Sequence, residues 1–556
     1  MKKILFILML GLLIYNPLKS QDNNLRVEIE LDGNNDNFYV LPVGTKGVLL
    51  FNEIDDDKTS KRMQKYSFTL LDNNFEKVWS KKVEISDAVF YYKQYFDPVN
   101  NELFVLFNSP NNQKLEAAQY DHGDYTVVKI NIDTKEITVL NETNNIPTKL
   151  TGFTVYNQKV YLGGYVVPSS GSKMMKSIAC YCGCGIPYFL GILNYKPVPI
   201  LMTFDFNNST TKTHQYETLI PGQMNDIFAS AEENIVYGLF NTKPDKNTAK
   251  MLIKEIDGGN KDKASKTISF KMSDEEDICS PKLYTTENHG KILIGGYSDA
   301  QSTYKISQIG VANVLKGLVF ANIVDGTIET MKYVKFQQLN NIILYYNKNS
   351  ARGESNAKKQ AKRKLSEGKD LRLRYNLLIH DIISVKKDEY IMVAESYYPQ
   401  YHTEYYTSFD SKGNMHTTSR TVFDGYRYTH GMVVDFDKDG TVLWDQAFEI
   451  DDILTFNLKQ RIKVTVDNEK IICGFTLDDA VKSITFENGE KTNERVLSKF
   501  KTNFKNDKVK DEMESDVDFW YDNYLISYGY QKIKNTSKKG KKNRTVFYFN
   551  KIEYTN

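Results

Sequence analysis

Nine residues between Glu395 and His430 are of types that could do chemistry on a sugar acid: Tyr397, Tyr398, Tyr401, His402, Tyr405, Tyr406, Arg427, Tyr428 and His430. β-Elimination from a uronate needs a general base, a general acid and a cation around the substrate, and Tyr, His and Arg supply all three. Aromatic rings also stack on sugars or peptides without catalysis, and Tyr-Thr alternation is ordinary strand composition. Recognition is the simpler reading. It makes Tyr398, Tyr401, His402, Tyr405, Arg427, Tyr428 and His430 binding residues and assigns no catalytic residue.

Two further patterns could hold metal. Cys180, Cys182 and Cys184 alternate with Tyr181 and Gly183, and three thiolates so spaced could take Cu(I) or Zn²⁺, with Cys279 or a His completing the shell. Cys-x-Cys-x-Cys is not a standard zinc spacing, so a local disulfide or free thiols in an apolar plug explain it more simply. The flanking Ile186, Tyr188, Phe189, Leu190, Ile192 and Leu193 would make this loop an interaction patch where it is exposed. Asp435, Asp437 and Asp439 before Gly440 match the start of a Ca²⁺ loop. The twelfth position is Gln446 instead of a bidentate Glu, and a hairpin turn selects Asp and Gly with no metal present. No cofactor is expected, with calcium or a soft metal as the remaining candidates.

The elements that must position these residues are hairpins. Eight share a layout of strand, short polar turn and second strand, with turns near Thr45, Asn100, Asn157, Glu233, Asn288, Asp388, Asn468 and Asp522. Successive turns are 55, 57, 76, 55, 100, 80 and 54 residues apart. A base period of about 55 residues, all strand and turn, fits a four-stranded blade. Asp437, Trp444 and Ile450 echo the spacing of Asp72, Trp79 and Ile85 near the other end of the chain. The expected fold is therefore all-β, a single β-propeller of eight four-stranded blades, with seven as the alternative. Pairing of the N-terminal strand Leu25 to Leu31 with the C-terminal strand Val546 to Tyr554 would close it, removing exposed edges. Gly163, Gly164, Gly295, Gly296, Gly238, Gly474 and Gly529 fall at one point of the second strands, where a Cβ would crowd a neighbouring backbone near the axis.

Three insertions interrupt the period: Pro168 to Leu201, Phe336 to Arg374, and Glu395 to His430. Loops on a rigid scaffold carry binding groups, so function is expected there. The second favours a helix up to Gly368 and is rich in Lys and Arg (Lys358, Lys359, Lys362, Arg363, Lys364, Lys369, Arg372, Arg374), balanced by Glu354, Glu367 and Asp370. A solvated helix face accounts for those charges.

Residues 1–20 combine Lys2 and Lys3 with an apolar run from Ile4 to Tyr15, then Pro17 and Ser20, the layout of a secretory signal and too short a run to span a bilayer. The mature chain from about Gln21 then holds 69 basic against 70 acidic residues, which attracts no polyanion such as nucleic acid. Five cysteines are too few for a disulfide scaffold, so 37 Tyr and 30 Phe must supply the core. GxSxG, HExxH and Walker A motifs are absent from the sequence, and three tryptophans do not suffice for a quinone-cofactor propeller.

The leader and the stretch GYRYTHGMVVDFDKDGTVLWDQAFEI resemble exported β-propeller proteins of Bacteroidota. That resemblance carries over no activity. The leader leads to the expectation of an exported protein, in the periplasm or associated with the outer membrane, not membrane-spanning after signal cleavage, and a monomer is expected. In residue types alone the Tyr, His and Arg set is similar to those of propeller polysaccharide lyases. The expected function is non-enzymatic docking of a protein partner or glycan, with a polysaccharide lyase and a metal-binding sensor or carrier as alternatives.

Overall fold

The computed structural model describes residues 25–31, 37–54, 62–109, 121–166, 198–215, 222–242, 251–258, 267–270, 276–299 and 315–342, and most of 359–554 apart from short stretches. The strands follow the sequence period. Strand β1 is Arg26–Glu30. Blade 1 holds β2 (Phe38–Pro42), β3 (Val48–Ile54), β4 (Met63–Leu71) and β5 (Lys77–Ser86). Blades 2 and 3 form one seven-stranded sheet: β6 (Phe90–Asp97), β7 (Glu102–Ser109), β8 (Asp121–Asn131), β9 (Ile137–Tyr156), β10 (Lys159–Val166), β11 (Val198–Asp205) and β12 (Thr210–Gln215). The 20-residue β9 serves both, its first half pairing with β8 and its second with β10.

Blade 4 is β13 (Gly222–Ser230), β14 (Ile235–Thr242), β15 (Met251–Gly258) and β16 (Thr267–Phe270). Blade 5 is β17 (Glu276–Thr285), β18 (Lys291–Asp299), β19 (Leu315–Val324) and β20 (Thr327–Lys335). Blade 6 has a first strand in two pieces, β21 (Asn376–Ile379) and β22 (Ile383–Ser384), then β23 (Glu389–Phe409), β24 (Met415–Asp437), β25 (Val442–Glu449) and the short β26 (Leu454–Thr455). Blade 7 is β27 (Lys463–Asp467), β28 (Lys470–Leu477), β29 (Ala480–Glu487) and β30 (Glu490–Lys499). Blade 8 is β31 (Asp507–Phe519), β32 (Tyr524–Asn535) and β33 (Asn543–Glu553), completed by β1.

All eight sequence-predicted turns join the first and second strands of a blade. Local chemistry explains them: Asn157 and Gln158 link β9 to β10 with φ of 49° and 62°, and Asn468 and Glu469 link β27 to β28 with φ of 50° and 64°, the two positive values a two-residue type I′ turn demands. The repeat echoed in the sequence is an Asx turn between third and fourth strands. Asp72 Oδ1 accepts the Asn74 and Glu76 N–H groups at 2.9 and 2.8 Å, and Asp437 Oδ1 accepts those of Asp439 and Thr441 at 2.9 and 2.7 Å.

The core is not central. Eight apolar clusters lie one at each junction of neighbouring blades, because each sheet has two faces to bury. The last junction closes the ring. Strand β1 pairs antiparallel with β33, Arg26 opposite Asn550 and Glu30 opposite Val546. Arg26 donates to Gln531 Oε1 at 2.7 Å and lies 4.4 Å from the Tyr548 ring centroid. Trp520 of blade 8 stacks on Phe75 at 5.5 Å and donates from Nε1 to the Gly47 carbonyl of blade 1 at 2.7 Å.

Of the insertions, 168–197 lie outside the described residues, including Cys180, Cys182 and Cys184. In the second, Lys359, Arg363, Lys364 and Ser366 are helical, and Gly368 follows with φ of 66°. The third is no irregular loop: β23 and β24 simply run on beyond the blade as a hairpin arm.

Trp520→Ala should lower stability by about 3–5 kcal/mol, since it removes a buried ring and leaves a cavity at the closing junction. Urea unfolding checks this. Val99→Ala, in an exposed turn, should change stability by less than about 0.5 kcal/mol in the same assay.

Candidate functional site

The arm begins where β23 and β24 pass a bulge at Gln400/Tyr401 and leave the rest of blade 6. Beyond it the register puts Tyr401 opposite Phe423, Thr403 opposite Thr421, Tyr405 opposite Ser419 and Thr407 opposite Thr417. Alternation places these eight on one face, which is uncharged and made of rings and hydroxyls. Tyr405 is 72% exposed. Rings continue toward the blade, with Tyr401 to Phe423 at 5.2 Å, Phe423 to Tyr426 at 5.1 Å, Phe423 to the exposed Phe456 at 6.0 Å, and Tyr426 to Tyr397 at 5.8 Å.

The opposite face is charged. His402 Nδ1 bonds Asp424, its Nε2 lies 3.4 Å from Glu404, and Glu404 also accepts from Tyr406 and from Arg420 Nε at 2.8 Å. Hydrogen bonds from Tyr406 and Arg420 hold the Glu404 carboxyl at about 2, and Asp424, then Glu404, raises the His402 imidazole above its usual value. The face is a compensated ion network in solvent.

The structure splits the sequence-predicted binding set. Tyr401, His402 and Tyr405 lie along the arm. Tyr398 and Arg427 sit at its root, Tyr398 beside the Tyr375 ring at 6.0 Å and Arg427 Nε donating to Gln400 Oε1 at 2.6 Å. Tyr428 and His430 are buried and occupied. Tyr428 donates to the Lys459 carbonyl at 2.5 Å and accepts Lys459 N–H at 3.1 Å, and burial pushes its hydroxyl up to about 12. His430 lies 3.1 Å from Ser396 Oγ and 2.9 Å from Thr429 Oγ1. His402 and His430 pair with Val422 and Ser396, six residues apart along β23, hence about 20 Å. They cannot act on one substrate carbon.

The Asp435, Asp437 and Asp439 spacing turns out to serve the hairpin. Asp437 binds backbone N–H groups of its own turn, while Asp435 is buried in the blade, and among the described residues no three His, Cys, Asp or Glu side chains converge on a point. Asp435 pairs with Trp444 as Leu70 pairs with Trp79, so a carboxyl occupies a slot that the echoing repeat fills with leucine. Its Oδ1 has no hydrogen-bond partner, and burial, then Glu389, push it up to about 7. Cys279 and Cys473 are buried free thiols. Burial pushes the Cys279 thiol up to about 11, which disfavours a free thiolate there.

A second cluster escaped the sequence. The first strands lie side by side around the ring, β9 against β13, β13 against β17 and β17 against β21, with β27 against β31. Four of them carry a bulge immediately before a charged residue: Lys93 in β6, Asp226 in β13, Lys282 in β17 and Asp516 in β31. A bulge re-aims the side chain that follows it, here toward the axis. Lys282 Nζ reaches Asp226 at 2.8 Å and Asp381 at 3.2 Å. Burial lowers Lys282, but the two carboxylates outweigh it and hold the ammonium charged.

Farther round the ring, Lys459 pairs with Asp516 at 2.6 Å and Lys463 with Asp518 at 2.9 Å, while Tyr528 donates to Asp518 at 2.8 Å. Burial would raise Asp516, yet Lys459, Lys463 and Arg461 hold it below the ordinary carboxylate range. The buried Glu395 accepts Arg461 and Ile462 N–H at 2.9 Å and faces His380 Nε2 at 2.8 Å. Sequence spacing offers no motif for the ion pairs of Lys282, Lys459 and Lys463, because each joins segments that belong to different hairpin repeats.

No family model and no curated protein matches the sequence. Among solved structures the chain is similar to the dihydro-heme d1 dehydrogenase NirN, at 10% identity and TM-score 0.40 over 97% of this chain and 82% of that one. It is similar to the polysaccharide lyase Uly1 at 7% identity and TM-score 0.35, over 97% and 94%. A Synechocystis apocarotenoid oxygenase aligns at 10% identity and TM-score 0.27, and the chain spans about half its length, 55%. Likeness this distant assigns no activity.

Asp435→Asn should stabilise the fold above neutral pH. A carboxyl raised in the folded state contributes fully below its unfolded value of 3.8 and loses that contribution as pH climbs through about 7. Melting temperature against pH should therefore fall less between pH 4 and 8 in the variant. At pH 8 the gain should be roughly 1–3 kcal/mol, the cost of an unsatisfied buried acceptor.

Proposed function

We propose that this chain is a non-enzymatic binding propeller, exported to the cell envelope, which docks a protein partner or glycan through the uncharged face of the β23–β24 arm. The supporting observation is the arm itself: a two-stranded ribbon projecting into solvent with Tyr405 72% exposed among hydroxyls. A bare hairpin is marginal in water. The aromatic ladder from Tyr397 to Phe423 stiffens this one against blade 6, which lowers the ordering cost of binding. Rings with few rotatable bonds beside hydroxyls suit sugar or peptide surfaces.

The export reading rests on residues 1–20, which lie outside the described residues. Among the described residues no helix is long and apolar enough to cross a membrane. A lyase would need its His, Tyr and Arg groups around one uronate carbon. The separation of His402 from His430 and the burial of Tyr428 favour binding instead.

Replacing residues 401–423 with an Asn-Gly turn should leave the melting temperature of the ring within a few degrees while abolishing capture of envelope proteins and glycans. Tyr405→Ala alone should weaken the captured partner about tenfold, or about 1.4 kcal/mol. Full retention of every partner by the armless chain overturns the reading. Unsaturated, ultraviolet-absorbing products released from uronate polymers would establish the lyase in its place.

A further inference from the structure

Strand β6 departs from its counterparts. Its neighbour β7 is buried at all eight positions, whereas β6 leaves four residues open to solvent. The bulge between Tyr91 and Lys93 resets the alternation. Tyr91, Gln94 and Phe96 remain half-buried, Tyr91 and Phe96 against the blade 1 core, while Phe90, Tyr92, Lys93 and Tyr95 share the exposed side. Phe90, Tyr92 and Tyr95 are 47%, 43% and 39% exposed. Among the described residues no other first strand exposes an aromatic ring.

Lys93 stands in the middle of this face. Its Nζ lies 5.6 Å from the ring centroid of Phe153, on the first strand of blade 3, so rings border it on both sides. Among the described residues no carboxylate bonds it. The nearby Asp226 and Asp381 both engage Lys282. Lys93 is exposed to solvent, while burial of its surroundings, then the like charge of Lys282, push its ammonium below its usual value. The amine has three donors, none of them in a hydrogen bond among the described residues.

We infer that the exposed face of β6, with Phe153 opposite, is a site for a carboxylate borne on a six-membered ring, the carboxylate on Lys93 Nζ and a face of the ring against Tyr92, Tyr95 and Phe153. Lys282 is paired with both Asp226 and Asp381, and among the described residues no carboxylate bonds Lys93, so a single negative charge is what would complete its pairing. A phosphate dianion would want an Arg fork or several backbone N–H groups and would meet Asp226 and Asp381 close by. A cation would face Lys93 and Lys282, and a neutral sugar would leave Lys93 without a counter-ion. The ring walls supply the apolar contact, and the arriving carboxylate offsets the repulsion between the two lysines. This small-ligand site is separate from the arm and does not depend on the docking reading.

Isothermal titration calorimetry of the mature full chain tests it, with phenylacetate and glucuronate as probes and phenylethanol and glucose as neutral counterparts. We expect saturable binding of one acid and none of its neutral counterpart, and which acid binds tells an aromatic from a sugar ligand. Lys93→Gln should weaken binding at least tenfold, Lys93→Arg should recover part of it, and affinity should fall as rising pH discharges Lys93. Removing the arm should change nothing. Should Lys93→Gln fail to fold, protection of Lys93 from acetylation by the bound acid, read by mass spectrometry on the unaltered chain, gives the answer. Absence of binding by both acids, binding unchanged in Lys93→Gln, or unprotected Lys93 overturns the proposal.

Discussion

Face-to-face packing of neighbouring sheets is the constraint on which everything else in this molecule rests. A four-stranded sheet with two apolar faces cannot bury both by itself, so each blade needs a neighbour on either side. Eight such junctions satisfy every face only when the last blade meets the first. That requirement gives β1 its importance: five residues paired with β33 turn an open stack into a ring, and the Trp520 contact with Gly47 and Phe75 ties blade 8 to blade 1. Closure leaves the inner strands crowded around an axis.

The crowding explains the inner surface. Where first strands converge there is little room for apolar side chains from eight directions, and bulges bend the strands and turn charged residues inward. Paired ions then fill the middle: Lys282 with Asp226 and Asp381, Lys459 with Asp516, Lys463 with Asp518. Such pairs contribute modestly to net stability because desolvation consumes most of their attraction. Their effect is on specificity of register, since a slipped strand would strand a charge against the wrong blade. The glycines of the second strands belong to the same design. A Cβ on Gly529 would come within 2.9 Å of Ser515 Cα, inside the bulge of the blade's own first strand. At Gly529 the crowding backbone is therefore the bulged partner strand, and at Gly164 it is the Lys149 carbonyl of the blade's own first strand, where the sequence had suggested the axis; Gly163 and Gly238 would meet side chains, and Gly474 meets nothing closer than 3.6 Å.

The two candidate surfaces differ because their positions differ. The arm stands clear of the ring, so its side chains obey simple alternation and sort into a charged and an uncharged face. Residues nearer the blade lose that freedom: Tyr428 and His430 enter the junction with blade 7 or the blade interior and spend their polar atoms on Lys459, Ser396 and Thr429. The face of β6 owes its exposure to a single extra residue, which breaks the period that would have buried Tyr92 or Lys93.

Much of the architecture was legible in the sequence. Turn chemistry at Asn157, Asn468 and Asp522, a period near 55 residues, and the Asp72 and Asp437 echoes are all local, and short-range spacing on a strand determines them completely. The same locality leaves alternatives open where one pattern suits two purposes, as with Asp435, Asp437 and Asp439, whose spacing fits a calcium loop and a hairpin turn alike, and Asp437 bonds the backbone of its own turn. The sequence by itself thus determined the hairpin repeat, pointing to eight blades with seven as the alternative, and the order of the blades, because hairpins and alternation depend on neighbours along the chain. Only the tertiary structure decided which charges meet on the axis, which tyrosines stay in water and where Lys93 points. Those outcomes depend on bulges and on contacts between blades more than fifty residues apart, and no spacing within one strand encodes them.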